Sequence, residues 1–143
     1  MMRAAAHGAA QSAHTLGVPR PLVIAVTVLT SLDRTTLGGE LHVASSVEGH
    51  VLHLCGLANE AGLDGNVASP HEIRAIRNAL GPRWAIVTPG VRPAGGAHQD
   101  QSRVATPRAA TEAGADYLVV GRPITAAPDP AQAAAAVLME MRG

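Results

Sequence analysis

The feature that most constrains this chain is a regular alternation of two kinds of segment. Short β-branched apolar runs take turns with longer stretches that carry helix-start and helix-stop signals. That order points to an α/β fold with a parallel sheet. Leu22 to Leu29 is a near-continuous apolar run, the pattern of a parallel strand buried on both faces. Asp64 to Ala68, Trp84 to Thr88 and Tyr117 to Gly121 read as three further strands.

Helices fit between them. Met2 to Thr15 is Ala-rich and is stopped by Gly17 and Pro19. Ser45-Ser46-Val47-Glu48 reads as a capping box with Ser45 at the N-cap and Glu48 three residues on. Val47, Val51, Leu54 and Ala58 then form one stripe, ending near Gly62. Ser69-Pro70-His71-Glu72 is a second capping box, with Pro at the first helical position and Ile73, Ile76 and Leu80 turned inward. Thr106-Pro107 opens a short helix that stops at Gly114, and Asp129-Pro130 caps a last one through Met141.

Four strands, each followed by a helix, plus one opening helix make about half of a (β/α)8 barrel, which takes about 250 residues. With 143 residues the chain is one domain's worth, a single partial domain over 1–143. The opening helix with no strand before it reads as a start in mid-barrel. A small open α/β sheet, complete as it stands, is the other reading of the same pattern.

Composition removes several classes of function. The 11 basic and 11 acidic side chains balance, against a general nucleic-acid or membrane surface. Trp84 and Tyr117 are the whole aromatic inventory, too few for a base-stacking platform. Cys55 is the single cysteine, so no intrachain disulfide forms and a Cys-rich metal site is excluded. His50 and His53 lie three apart, but no His-Glu-x-x-His or Cys/His pair accompanies them, and no metal is expected. No Gly-x-Ser-x-Gly elbow and no Walker loop occurs. No apolar run is long enough to span a membrane, and Met1 to Ala6 does not read as a signal peptide, so a soluble cytoplasmic protein is expected. All 11 basic residues are Arg, and Lys is absent. Chemistry that needs a lysine cannot be run by this chain alone.

In barrels of this kind active sites lie at the C-terminal ends of the strands, with phosphate often on the loops after the last two. Here those strands end in Thr88-Pro-Gly-Val-Arg-Pro93 and Val120-Gly-Arg-Pro-Ile-Thr125. Gly121 permits close backbone approach, and Arg122 presents a planar fork matched to phosphate oxygens. A strand end with a solvated Arg fits the same residues. The loop from Gly90 to Arg103 is long for a βα connection, and loops of that length serve as lids or are plain insertions.

These strings, together with Asp100-Gln101, Thr106-Pro107, Ala113-Gly-Ala-Asp-Tyr117, Ala25-Val-Thr-Val-Leu-Thr-Ser31 and Gly62-Leu-Asp-Gly65, resemble orotidine 5'-phosphate decarboxylase of the bacterial type, in the same order along essentially the whole chain. The resemblance implies the last four βα units, the C-terminal half, of a TIM barrel. It implies conversion of orotidine 5'-monophosphate to uridine 5'-monophosphate without metal or organic cofactor, by a homodimer. Substrate-binding positions carry over to Thr30 (pyrimidine), to Arg92 and Gln101 on the closing loop, with Gln101 on phosphate, and to Gly121 and Arg122 (phosphate). The family's Asp-x-Lys-x-x-Asp array and its further Lys are absent, so no catalytic residue is assigned; Asp33, Asp64 and Asp116 do not fit that pattern.

Two departures stand out. Asn66 occupies a strand position where an aliphatic is expected, and an unpartnered buried amide there costs about 1–3 kcal/mol. His98-Gln99 precedes Asp100-Gln101 where a small residue and Gly are expected. A half-barrel also leaves two open edges and an uncovered apolar face, so the lone chain is expected to be unstable or self-associated. A non-catalytic phosphate-binding module and another phosphate-using barrel lyase or epimerase are the alternative functions.

Overall fold

The computed structural model describes residues 1–93 and 105–142. Helix α1 (Met2–Leu16) leads to strand β1 (Ile24–Val26), and helix α2 (Val47–Glu60) leads to β2 (Gly65–Val67). Helix α3 (Ile73–Leu80) precedes β3 (Ala85–Thr88), and α4 (Pro107–Ala113) precedes β4 (Tyr117–Leu118). A one-turn helix α5 (Arg122–Thr125) and a longer α6 (Pro130–Arg142) follow.

The strands form one sheet in the order β1-β2-β3-β4, every pair parallel. Spatial order equals chain order, with no reversal. A doubly wound sheet reverses at a switch point and carries helices on both faces; a barrel winds one way with its helices outside. This sheet is of the second kind. The register puts Ala25, Asn66 and Ile86 in one row. That row faces the helices, where Val51 and Cys55 of α2 and Ile73 and Ile76 of α3 are buried with Ile86. The opposite face carries Ile24 and Val26 of β1 and Tyr117 of β4, in line with Val67 and Val87.

Here the structure corrects one expectation. β1 is not buried on both faces: Leu22, Ile24 and Val26 are 56%, 36% and 63% exposed. An apolar run shows only that a strand is made to be covered, and this chain covers one of the two faces. The regular strands are also shorter than the apolar runs that contain them.

The helix signals hold with local shifts. Ser46, not Ser45, caps α2, accepting from the Gly49 amide at 3.1 Å. Glu48 therefore moves one place nearer the cap and the expected reciprocal box does not form. Ser69 caps a 3-10 turn (Pro70–Glu72) that runs into α3, accepting from the His71 amide. Thr106 caps α4 and Asp129 caps α6, as their positions imply. Gly17 and Gly114 end α1 and α4 in the left-handed region, at φ 64° and 108°. A π-helical turn (Thr36–Glu40) and α5 have no clear sequence signal.

Two carboxylates secure the N-terminal ends of the strands. Asp64 takes both oxygens to Arg20 at 2.8 Å and accepts the Val23 amide at 2.7 Å. Asp116 accepts from Arg77 and from the Ile86 amide, each at 2.8 Å. Arg77 also donates to the carbonyls of Gly81, Trp84 and Gly114. Gly65 is dictated by close approach, since a Cβ there would run into the Ala85 carbonyl oxygen. Asn66 finds half of what it needs: its Oδ1 accepts the Trp84 indole at 2.6 Å, and its Nδ2 has no partner among the described residues.

Candidate active site

Parallel strands deliver their following loops to one end, so the residues after β1, β2, β3 and β4 share the C-terminal end of the sheet. A cleft of about 290 Å³ opens there, lined by Val26 at the end of β1, by Leu29, Thr30 and Ser31 after it, by Ala68 after β2 and by Pro89 after β3, among others. Thr30 is 8% exposed. The Thr30 and Ser31 hydroxyls on an otherwise apolar wall suit a small planar ligand that needs one or two directed hydrogen bonds.

Arg92 follows β3 and is buried, with its Nη1 donating to the Val91 carbonyl at 2.9 Å and its amide donating to the Ala105 carbonyl at 3.0 Å. Those contacts close the base of the long loop, where Val91 bridges Ala105. Gly121 and Arg122 follow β4. The Gly121 carbonyl accepts from the amides of Ile124 and Thr125, which turns the chain into α5. Among the described residues no atom crowds a Cβ at Gly121, but its φ of -97° and ψ of -105° fall outside the regions open to residues that carry a Cβ. Packing leaves the position open, and the backbone conformation at this strand end is one that favours glycine. Arg122, the first residue of α5, is exposed.

The structure thus brings Thr30 into the cleft and sets Arg92, Gly121 and Arg122 at the same end of the sheet, on the two neighbouring strand ends. It does not place those three in the wall of the Thr30 cleft. Gln101 and the His98-Gln99-Asp100 departure lie outside the described residues. Sequence reasoning passed over Ser31 and Pro89, whose signal was their position next to Thr30 and Thr88 at strand ends.

The three aspartates left unassigned are accounted for without chemistry. Asp64 and Asp116 bind the opposite end of the sheet, and Asp33 accepts from the Thr36 amide at 2.8 Å to start the π-helical turn. Hydrogen bonding to Arg20, with further help from the Val23 amide, holds the Asp64 carboxyl below the usual carboxylate range against the opposing effect of burial. Burial, and secondly the nearby Glu72 charge, pushes the Cys55 thiol up to about 11, so it stays protonated. Among the described residues no three His, Cys, Asp or Glu side chains are grouped to hold a metal, and no helix is long and apolar enough to cross a membrane.

A family model for orotidine 5'-phosphate decarboxylase / HUMPS matches residues 1–137. The chain belongs to this family. It is 57% identical over 141 residues to orotidine 5'-phosphate decarboxylase of Moorella thermoacetica, covering 99% of this chain and 56% of that protein. The corresponding enzyme of Heliobacterium modesticaldum is 50% identical over 141 residues, with 99% and 58% covered. The crystal structure of orotidine 5'-phosphate decarboxylase from Lactobacillus acidophilus superimposes with a TM-score of 0.79 at 34% identity, covering 100% of this chain and 58% of that one. The enzyme from Pyrococcus horikoshii gives 0.63 at 29% identity, with 87% and 52% covered. The chain therefore spans little more than half the length of the family members it matches, and its four βα units are a half-barrel of that fold.

Proposed function

We propose that this chain carries the pyrimidine- and phosphate-binding side of an orotidine 5'-phosphate decarboxylase site, and that it acts in the last step of pyrimidine synthesis once the other half of the barrel is supplied. The observation that carries this reading is the Thr30-lined cleft at the C-terminal end of a singly wound parallel sheet, in a chain that matches the family over residues 1–137. Thr30 contacts the pyrimidine. Arg122 grips the phosphate through its guanidinium fork, and the Gly121 backbone approaches the same group. Arg92, pinned at the base of the long loop, and Gln101 further along it hold the ligand from the loop side.

The reaction replaces the carboxylate on the pyrimidine ring by a proton and releases carbon dioxide. Its difficulty is the carbanion left on the ring. Binding energy from the distant phosphate is used at the reacting carbon, and fixed charges stabilise the developing anion. This chain supplies the phosphate grip. It has no Lys to serve as proton donor, so the reaction waits on residues outside it. The partners this implies are orotidine and uridine 5'-monophosphate, the complementary half-barrel or a second subunit, and no metal or organic cofactor. The cytoplasm, where pyrimidines are made, is the compartment that follows. The absence of Lys equally favours a second reading, in which the chain alone is a non-catalytic nucleotide-binding module.

Calorimetric titration of the purified chain with uridine 5'-monophosphate tests the binding reading. Binding is expected, and Arg122→Ala is expected to weaken it by about 10- to 100-fold, in line with about 1.5–3 kcal/mol for a hydrogen bond to a charged group. A folded chain that takes up no nucleotide overturns the reading. Turnover of orotidine 5'-monophosphate by the chain alone would overturn its division of labour.

A further inference from the structure

The apolar run from Leu22 to Leu29 holds a single hydroxyl, at Thr27. A strand that needs only to pack takes a β-branched hydrocarbon at such a position. Thr27 instead donates from its Oγ1 to the Val67 carbonyl of β2 at 2.7 Å. Its own amide reaches the same oxygen at 3.3 Å. The hydroxyl bond has the ordinary length for its kind, and the amide bond lies just beyond the usual range. The register of β1 on β2 ends one residue earlier, where Val26 pairs with Val67. Thr27 is thus the point at which β1 leaves its ladder, and its hydroxyl takes over the tie that the amide is giving up.

What the tie holds is the wall of the cleft. Val26, Val28, Leu29, Thr30 and Ser31 line it, and so does Val67 across from them. Of residues 26 to 31, only Thr27 is missing from that wall. Alternation along the strand puts it on the side of Ala25, away from the cleft. Just beyond, the chain turns, with the Leu32 amide donating to the Leu29 carbonyl at 3.0 Å.

We propose that Thr27 is a positioning residue of the nucleotide site. Its hydroxyl fastens the β1 part of the cleft wall to the β2 part, and so sets where the Thr30 hydroxyl stands. Thr27 itself touches no ligand. The inference rests on the reading of this cleft as the pyrimidine subsite, and it adds the bond that keeps the subsite in shape. A directed hydrogen bond to a ligand keeps its worth only while its donor is held in place, and a shift of about 1 Å is enough to lose much of it. An apolar side chain of the same shape would leave only the long amide bond between Val67 and the segment that carries Thr30.

Thr27→Val keeps the shape and removes the hydroxyl, and Thr27→Ser keeps the hydroxyl. Two measurements separate the inference from the reading beneath it. In the 143-residue chain without ligand, Thr27→Val is expected to quicken amide hydrogen exchange at position 27 and at Leu32 by about 2- to 10-fold, the effect of one neutral hydrogen bond. The Asp64 amide, bound to the Val23 carbonyl at the other end of the same strand pair, is expected to keep its rate. In titrations with uridine 5'-monophosphate, Thr27→Val is expected to bind about 2- to 10-fold more weakly than the parent chain, and Thr27→Ser to recover most of the affinity. In a Thr30→Val background the same change is expected to cost less than about twofold, because the hydroxyl it positions is gone. In an Arg122→Ala background its full factor is expected to persist. Exchange that quickens evenly along the sheet, or not at all at position 27 and Leu32, overturns the proposal. So does a Thr27→Val chain that binds as tightly as its parent, or that loses the same factor with and without the Thr30 hydroxyl. A parent chain that takes up no nucleotide overturns the reading of the cleft instead, and the exchange pattern then decides alone whether Thr27 holds this wall.

Discussion

The two faces of the sheet are built from the same kinds of residue and live in different surroundings. On the helix side Ile86 is fully buried, as are Asn66 and Thr88, and the row packs on α2 and α3. On the inner side Ile24, Val26 and Tyr117 belong to rows at least as apolar and are open. Hydrophobic character is therefore no guide to which face stabilises this chain. Coverage is, because the free energy of burial scales with area removed from water. The outer face holds the fold together, and the edge residues of the inner face stay open.

The largest effect that would break this contrast is a core truncation. Ile86→Ala is expected to cost about 2–5 kcal/mol in urea denaturation, through lost transfer energy and the cavity left behind. At protein concentrations where the chain is monomeric, Tyr117→Ala is expected to stay within about 0.5 kcal/mol. Equal losses would mean that the inner face is already covered within the chain. Next comes the N-terminal end of the sheet. Arg77→Met removes the shared donor to the Gly81, Trp84 and Gly114 carbonyls and leaves the Asp116 carboxylate with the Ile86 amide, and a loss of about 2–3 kcal/mol is expected by the same denaturation. A near-neutral result would show that these strand ends are held by their backbone ladder alone.

A smaller effect is expected from acid. The folded Asp64 carboxyl binds its proton less readily than the unfolded chain does, mainly because of Arg20. Its contribution is complete above about pH 4, the ordinary Asp range, and is lost as pH falls through the lower folded value. The acid limb of a stability-against-pH curve should accordingly be shallower in Asp64→Asn; an unchanged slope would assign acid sensitivity to other carboxylates. The smallest effect concerns Cys55. Fully buried, with its thiol near 11, it is expected to ignore a thiol reagent at pH 8 until denaturant is added. Rapid labelling of the native chain would show that α2 opens away from the sheet.

Much of this molecule was legible from its residues. Apolar runs of strand length set between Ser, Thr or Asp caps and Gly stops determine the α/β alternation, because caps and stops act within one turn of their own backbone. The ends of α1, α4 and α6 follow from Gly17, Thr106, Gly114 and Asp129 for that reason. The order of motifs such as Thr88-Pro-Gly-Val-Arg-Pro93 and Gly121-Arg122-Pro123 determines family membership, and the absence of Lys determines what the chain cannot do alone. Tertiary structure decided what depends on partners distant in the chain. It chose Ser46 over Ser45 as the cap of α2, paired Asn66 with Trp84, and tied Asp64 and Asp116 to Arg20 and Arg77 at the end away from the site. It also decided that the apolar rows of β1 and β4 lie open. A strand's own sequence sets how its side chains alternate, but which face is covered depends on how much chain is present to wrap it.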